Sequence, residues 1–178
     1  MMHHVRFGMA LMFKGAVSDI VVEFDDSVVS YLGAHTSLEC EVGGQLFAQF
    51  GSSAVVIKKI TQSPVLGKSK RLLFQPDRTI EQTVIYSMFK DGYHYVGDWH
   101  SHPEEIPSPS ATDLVTIKSV FINSLHVLSH LLLVIVGTRS LPCGLFVGLQ
   151  DKDQLEICNY MTALETGKNS DIKPDTAI

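Results

Sequence analysis

The chain has 178 residues, 45% of them hydrophobic, and a formal net charge of -5. That length buries a sizeable core as one domain without covalent staples, and the acidic balance, with no long basic run, excludes a general phosphate-binding surface. Three widely spaced cysteines, Cys40, Cys143 and Cys158, make no disulfide framework and point to a reducing, cytoplasmic setting, and the longest apolar run, LLLVIVG from Leu131, is too short to span a bilayer.

The opening MMHHVRFGMALMFKG lacks a clear apolar h-region and a small-residue cleavage site. It reads as a plain N-terminal segment, with His3 and His4 part of it, rather than a signal peptide or a metal pair. DIVVEF at 19–24 is short and β-branched, a strand ended by Asp25-Asp26; either acid caps a helix through SVVSYLGA, with Gly33 near its end. VGGQLFAQF (42–50) and AVVIKKI (54–60) read as paired strands about a Gly51-Ser52-Ser53 turn. A loop follows, whose Lys68, Lys70 and Arg71 are a solvated cluster, and RLLF is a short strand. Pro76 suits the start of a helix through PDRTIEQTVIYSMFKDG, with Ile80, Val84 and Met88 recurring at helical spacing and Gly92 as the stop. YHYVGDWH is a strand, a helix runs from about Ser110 to Ser124, and LLLVIVGT, CGLFVGLQ and QLEICNYM are three more strands. The tail, 163–178, is polar and expected to be disordered. The sum is a single α+β domain over residues 1–162, a mixed, mostly antiparallel sheet flanked by two or three helices.

Between strand and helix lies VGDWHSHPEEIPSPSATDL, residues 96–114. Positions i and i+2 of a strand share a face, so His100 and His102 present both imidazoles on one side. Two imidazoles and one carboxylate from another element suffice for catalytic zinc, with the fourth position left to water. Asp113, in the first turn of the next helix, is the candidate carboxylate, and Pro103, Pro107 and Pro109 stiffen the loop between. The same stretch also reads as a capping box, Ser110 as N-cap and Asp113 three residues on. His35, His94, His126 and His130 have no partner spacing and read as structural; Trp99 reads as core. Cys40 lacks the local signature of a Cys–His hydrolase, and the zinc-deaminase pattern fails because no second cysteine follows Pro142-Cys143.

His100-x-His102, seven residues, Ser110, two residues, Asp113 resembles, without departure, the JAMM motif of the MPN (JAB/Mov34) zinc metalloproteases. The resemblance covers roughly residues 18–150 and implies an MPN-like, cytidine-deaminase-like fold. It implies Zn2+ held by His100, His102 and Asp113, with Ser110 hydrogen-bonding the oxyanion or the attacking water. The family carries an upstream glutamate two residues before a glycine pair. In Leu38-Glu39-Cys40-Glu41-Val42-Gly43-Gly44 that position is Glu41, the implied general base, and Glu39 is the rival. Gly43 and Gly44 either let an extended substrate backbone approach or mark a bulge.

Such enzymes cut after the C-terminal glycine of a ubiquitin-like protein. Read as a bare domain, without the extensions expected of proteasome, signalosome or endosomal members, the chain resembles stand-alone bacterial JAB deconjugating peptidases of CBASS-type anti-phage operons, which implies a ubiquitin-like or conjugated tail as partner, among them a CD-NTase-type nucleotidyltransferase conjugate. No nucleic acid or membrane is implied. Processing of a sulfur-carrier-type small protein and a non-catalytic MPN scaffold are the alternatives.

Overall fold

The structure is a computed structural model, and the residues it describes are 10–36, 41–50, 54–64 and 76–162. Among these residues are eight strands and three helices, in the order β1 (Leu11–Gly15), β2 (Val21–Phe24), α1 (Asp26–Gly33), β3 (Gly43–Phe50), β4 (Val55–Ile60), α2 (Arg78–Lys90), β5 (His94–Ser101), α3 (Ala111–Asn123), β6 (Leu131–Val136), β7 (Leu145–Gln150) and β8 (Leu155–Tyr160). The turn at 51–53, the strand expected at RLLF, the basic cluster, His3, His4, Glu39, Cys40 and the tail lie outside the described residues.

The expected MPN-like layout, a mixed, mostly antiparallel sheet flanked by two or three helices, is corrected by this structure: the sheet is not open. The strands close into a mixed barrel in the order β1-β2-β4-β3-β5-β6-β7-β8. The pairs β2·β4 and β5·β6 are parallel. Closure depends on β1, which lies in the segment read as plain N-terminus. It pairs with β2 through Leu11↔Phe24 to Lys14↔Val21 and with β8 through Phe13↔Tyr160 to Gly15↔Cys158. Glu156 of β8 fastens the turn after β1, its Oε1 accepting from the main-chain N–H groups of Val17 and Ser18.

Alternation sorts the side chains of the ring. Leu11, Phe13, Val22, Phe24, Leu46, Ile57, Val96, Trp99, Leu132, Val134 and Val147 fill one buried cluster, to which α1 adds Val28 and Leu32. Asp25 caps α1, its side chain accepting from Ser27 N–H. A second cluster, Leu131, Leu133 and Ile135 with Ile117 of α3, lies on the other face of β6. The helix α2 docks differently. Its buried residue is Glu81; of the three apolar residues at helical spacing, Val84 and Met88 are half-buried and Ile80 is 44% exposed.

One irregularity of β5 matters for the site. The β3·β5 register shifts between Leu46↔Gly97 and Phe47↔Tyr95, so Val96 is an extra residue on β5. Gly97 sits at φ +152, and a Cβ there would collide with the carbonyl oxygen of Leu132; only glycine fits. The bulge turns Tyr95 and Asp98 to the same side, where the Tyr95 hydroxyl donates to Asp98 Oδ1 at 2.9 Å. No helix among the described residues is long and apolar enough to cross a membrane.

Candidate metal centre

Beyond the bulge β5 runs regularly, so Asp98, His100 and His102 share the face opposite Trp99. Trp99 is fully buried, its indole N–H donating to the Thr61 carbonyl. The end of β5 is pinned from both sides: Ser101 N–H donates to Val42 C=O at 2.8 Å, and His102 N–H donates to Val136 C=O at 2.8 Å. The imidazole rings are therefore set by the sheet rather than by the loop that follows.

Asp113 reaches them from α3. The helix begins with Ser110 as N-cap: Ser110 Oγ accepts from Asp113 N–H at 3.2 Å, and Asp113 Oδ2 accepts from Ser110 N–H at 2.7 Å. The capping box read from the sequence is therefore present, and it aims the same carboxylate at the histidines. His100 Nε2 lies 3.3 Å from Asp113 Oδ1, His102 Nε2 lies 3.5 Å from Asp113 Oδ2, and the two Nε2 atoms are 3.1 Å apart. Ligands about 2.05 Å from a tetrahedral zinc are separated by about 3.3 Å. The two Nε2 atoms are near that edge, each imidazole faces a different Asp113 oxygen at a similar spacing, and one donor atom from each residue lies within 4.8 Å of the others, so the donor set fits a zinc ion in chemistry and approximately in size. Burial raises the Asp113 carboxyl, but hydrogen bonds from His100 and His102 outweigh it and hold the group far below the usual carboxylate range. His102 is raised, chiefly by its hydrogen bond to Asp113, with the Glu104 and Glu41 carboxylates adding to the effect.

Glu41 lies one step beyond the paired part of β3. Gly43 pairs with His100, and the Val42–Ser101 hydrogen bonds continue the register, so Glu41 stands opposite His102. It lines the same cleft, of about 240 Å³, as His100, His102, Ser110 and Asp113, yet is not among the three donors that converge. Gly43 and Gly44 are buried between β4 and β5. Gly43 C=O accepts from Ser63 N–H, Gln45 C=O accepts from Thr61 N–H, and a Cβ on Gly44 would strike the Thr61 carbonyl. Both edges of β3 are thus filled here, and the glycine pair has a packing reason.

Residues 33–147 match the family of prokaryotic homologues of the JAB domain. The chain belongs to that family. A curated protein of Enterobacter hormaechei subsp. hoffmannii, named CD-NTase/cGAS isopeptidase, is 30% identical over 99 residues, which are 54% of this chain and 55% of that protein; the chain thus spans about half the length of that relative. A solution structure of a Desulfitobacterium hafniense protein matches with TM-score 0.55 and 22% identity, over 75% of this chain and 87% of that one. A Salinibacter ruber protein matches with TM-score 0.48 and 18% identity, over 78% and 88%. The JAB-matched stretch contains Glu41, His100, His102, Ser110 and Asp113, while β1, β2 and β8 lie outside it.

Three neighbours of the candidate site were not singled out by the motif. Glu104 Oε2 stands 3.0 Å from His102 Nδ1, a close ionic contact off the hydrogen-bond line. Asp98 and Arg78 line the far part of the cleft. Counting back by two from His100 gives Asp98; nothing local in the sequence gives Arg78.

Proposed function

We propose that this cleft is the active site of a zinc-dependent peptidase or isopeptidase that cuts after the C-terminal glycine of a ubiquitin-like or conjugated protein tail. We propose further that its target is a CD-NTase-type conjugate in bacterial anti-phage defence. The reading is supported by one observation: donor atoms of His100, His102 and Asp113 converge within 4.8 Å of one another, with Glu41 opposite His102. The relative named CD-NTase/cGAS isopeptidase supports the choice of target.

His100, His102 and Asp113 would hold the ion. Zinc bound there would lower the pKa of a water toward about 7 and polarise the scissile carbonyl. Glu41, kept off the triad, takes the proton of the attacking water and passes it to the leaving amine. Ser110 Oγ already accepts from Asp113 N–H, so its own proton is left to donate to charge developing on the carbonyl oxygen. Glu104, beside His102 Nδ1, favours a proton on that nitrogen and leaves Nε2 with its lone pair. Gly43 and Gly44 serve this site by bringing β3 close against Thr61, which seats Glu41.

The test is cleavage of a purified CD-NTase joined through its C-terminal glycine to a lysine side chain, with and without chelator, alongside elemental analysis. About one zinc per chain is expected, with cleavage lost to chelator and regained on adding zinc. His102→Ala loses metal and activity together, and Glu41→Gln keeps the metal without turnover. A metal-replete protein without zinc, or cleavage indifferent to chelator, refutes the reading. If Glu39→Ala is inactive and Glu41→Ala active, the base must be reassigned.

A further inference from the structure

Past the metal centre the cleft runs along β5 to a charged cluster that the chemistry above does not use. Arg78, in the first turn of α2, places Nη1 2.6 Å from Glu81 Oε2 and 3.4 Å from Asp98 Oδ2. The two carboxylate side chains are 3% and 16% exposed, whereas the Arg78 side chain is 47% exposed. Arg78 Nε and Nη2 donate to no described residue. The guanidinium also stands between the cleft and a second, polar cavity of about 210 Å³ lined by Gln45, Glu81 and Tyr95. In that cavity Gln45 is 2% exposed and its Oε1 has no partner.

Building on the peptidase reading, we propose that Arg78 determines the specificity of the cleft by binding a hydrogen-bond acceptor, a side-chain amide or carboxylate, on a substrate residue about three positions from the scissile bond. A basic side chain gains no hydrogen bond from it and is disfavoured there. Position follows from length. Asp98 lies two residues from His100 on one strand, about 7 Å, and the guanidinium adds about 3 Å, which an extended peptide covers in about three residues. Selectivity follows from the chemistry of the contact. A guanidinium offers five donors and no acceptor, so an amide or carboxylate gains bonds from it and an ammonium gains none. Asp98 and Glu81 hold the fork in place and are themselves satisfied by Arg78, Tyr95 and Ser63. Without Arg78, the same two carboxylates would face the substrate uncompensated, and the preference would turn toward a cation.

The experiment uses fluorescein-labelled peptides centred on Gly-Gly, with Gln, Glu or Lys placed at the second, third or fourth position on either side. Their affinities for wild type, Arg78→Met and Arg78→Lys are read by fluorescence anisotropy, with circular dichroism as the check on folding. Wild type is expected to bind Gln and Glu about tenfold more tightly than Lys at one of these positions, and Arg78→Met to favour Lys. Arg78→Lys, which keeps the charge but loses the planar fork, narrows the preference to about threefold and keeps the inference testable if Arg78→Met does not fold. Equal affinities for Gln and Lys at every position in wild type, an unchanged ranking in Arg78→Lys, or no binding by any peptide overturns it. Hydrolysis of the same peptides by zinc-loaded wild type is followed in parallel. Peptides cut without residue preference sink the role of Arg78 alone; preference without cleavage sinks the peptidase reading and leaves the role of Arg78 standing.

Discussion

Replacing Glu81 by alanine tests how α2 is attached to the barrel. Its carboxylate is 3% exposed, accepts from Ser63 Oγ at 2.6 Å and from Arg78 Nη1 at 2.6 Å, and is the buried residue of the helix. Breaking a buried pair costs about 3–5 kcal/mol. Arg78 is half exposed and keeps Asp98, and burial already works against the Glu81 charge, raising its pKa; both place the cost near the lower end, about 3 kcal/mol. At about 2–4 °C per kcal/mol for a chain of this size, the melting temperature falls by about 6–12 °C. Ile80→Ala, one residue earlier but 44% exposed, costs below about 1 kcal/mol. Thermal and urea unfolding of both variants, followed by circular dichroism, gives the comparison. If Ile80→Ala proves the more damaging, an apolar stripe docks α2 and the ionic account is wrong.

Ser110→Ala removes the N-cap and is expected to cost about 1 kcal/mol while zinc stoichiometry is kept, whereas Asp113→Ala loses cap support and metal together; elemental analysis beside thermal melts separates the two. Gly44→Ala drives a methyl into the Thr61 carbonyl and should destabilise by about 2–3 kcal/mol with KM unchanged in the folded fraction; a raised KM at unchanged stability would instead return the glycine pair to substrate contact. The Asp25 carboxyl is held down to about 2 by hydrogen bonds from Ser27 and by Lys58. Its folded pKa is depressed, so its contribution is present above the unfolded value near 4 and is lost as pH falls toward 2. Discounted for solvent exposure this is about 1 kcal/mol, and Asp25→Ala should flatten the acid limb of the stability curve by that amount. Cys158 is buried and its thiol pushed up to about 12 by that burial, whereas Cys143 is exposed; peptide mapping after iodoacetamide should find Cys143 alkylated in the native protein and Cys158 only after unfolding.

What the sequence conveyed was local. Asp25 before a run of β-branched residues, Ser110 three residues before Asp113, and His100-x-His102 on a strand each act over a few residues, and each appears where its spacing places it. The barrel did not show itself, because its closure rests on pairing β1 with a strand near the opposite end of the described chain, and LMFKG alone carries no signal of that partner. The matched JAB stretch does not contain β1 or β8 either. The periodicity in α2 found the helix but not the residue that docks it. Val84 and Met88 are half-buried on the side that bears Glu81 and Ile80 is exposed, and the buried carboxylate is held by Ser63 from a distant segment and by Arg78, which Asp98 also meets.

Ring closure has a consequence for how this protein comes off the ribosome. Phe13 meets its partner Tyr160 only after roughly 150 further residues have been made, which at about 5–20 residues per second leaves β1 waiting for roughly 7–30 s. Throughout that interval the edge of β1 that β8 will claim carries a row of unpaired main-chain donors and acceptors, joined near its end by the free edge of β7, the template on which nascent chains adhere to one another. A message truncated before β8 would make that vulnerability permanent. Such a product would be expected to accumulate as insoluble material even though it retained every residue of the candidate metal centre.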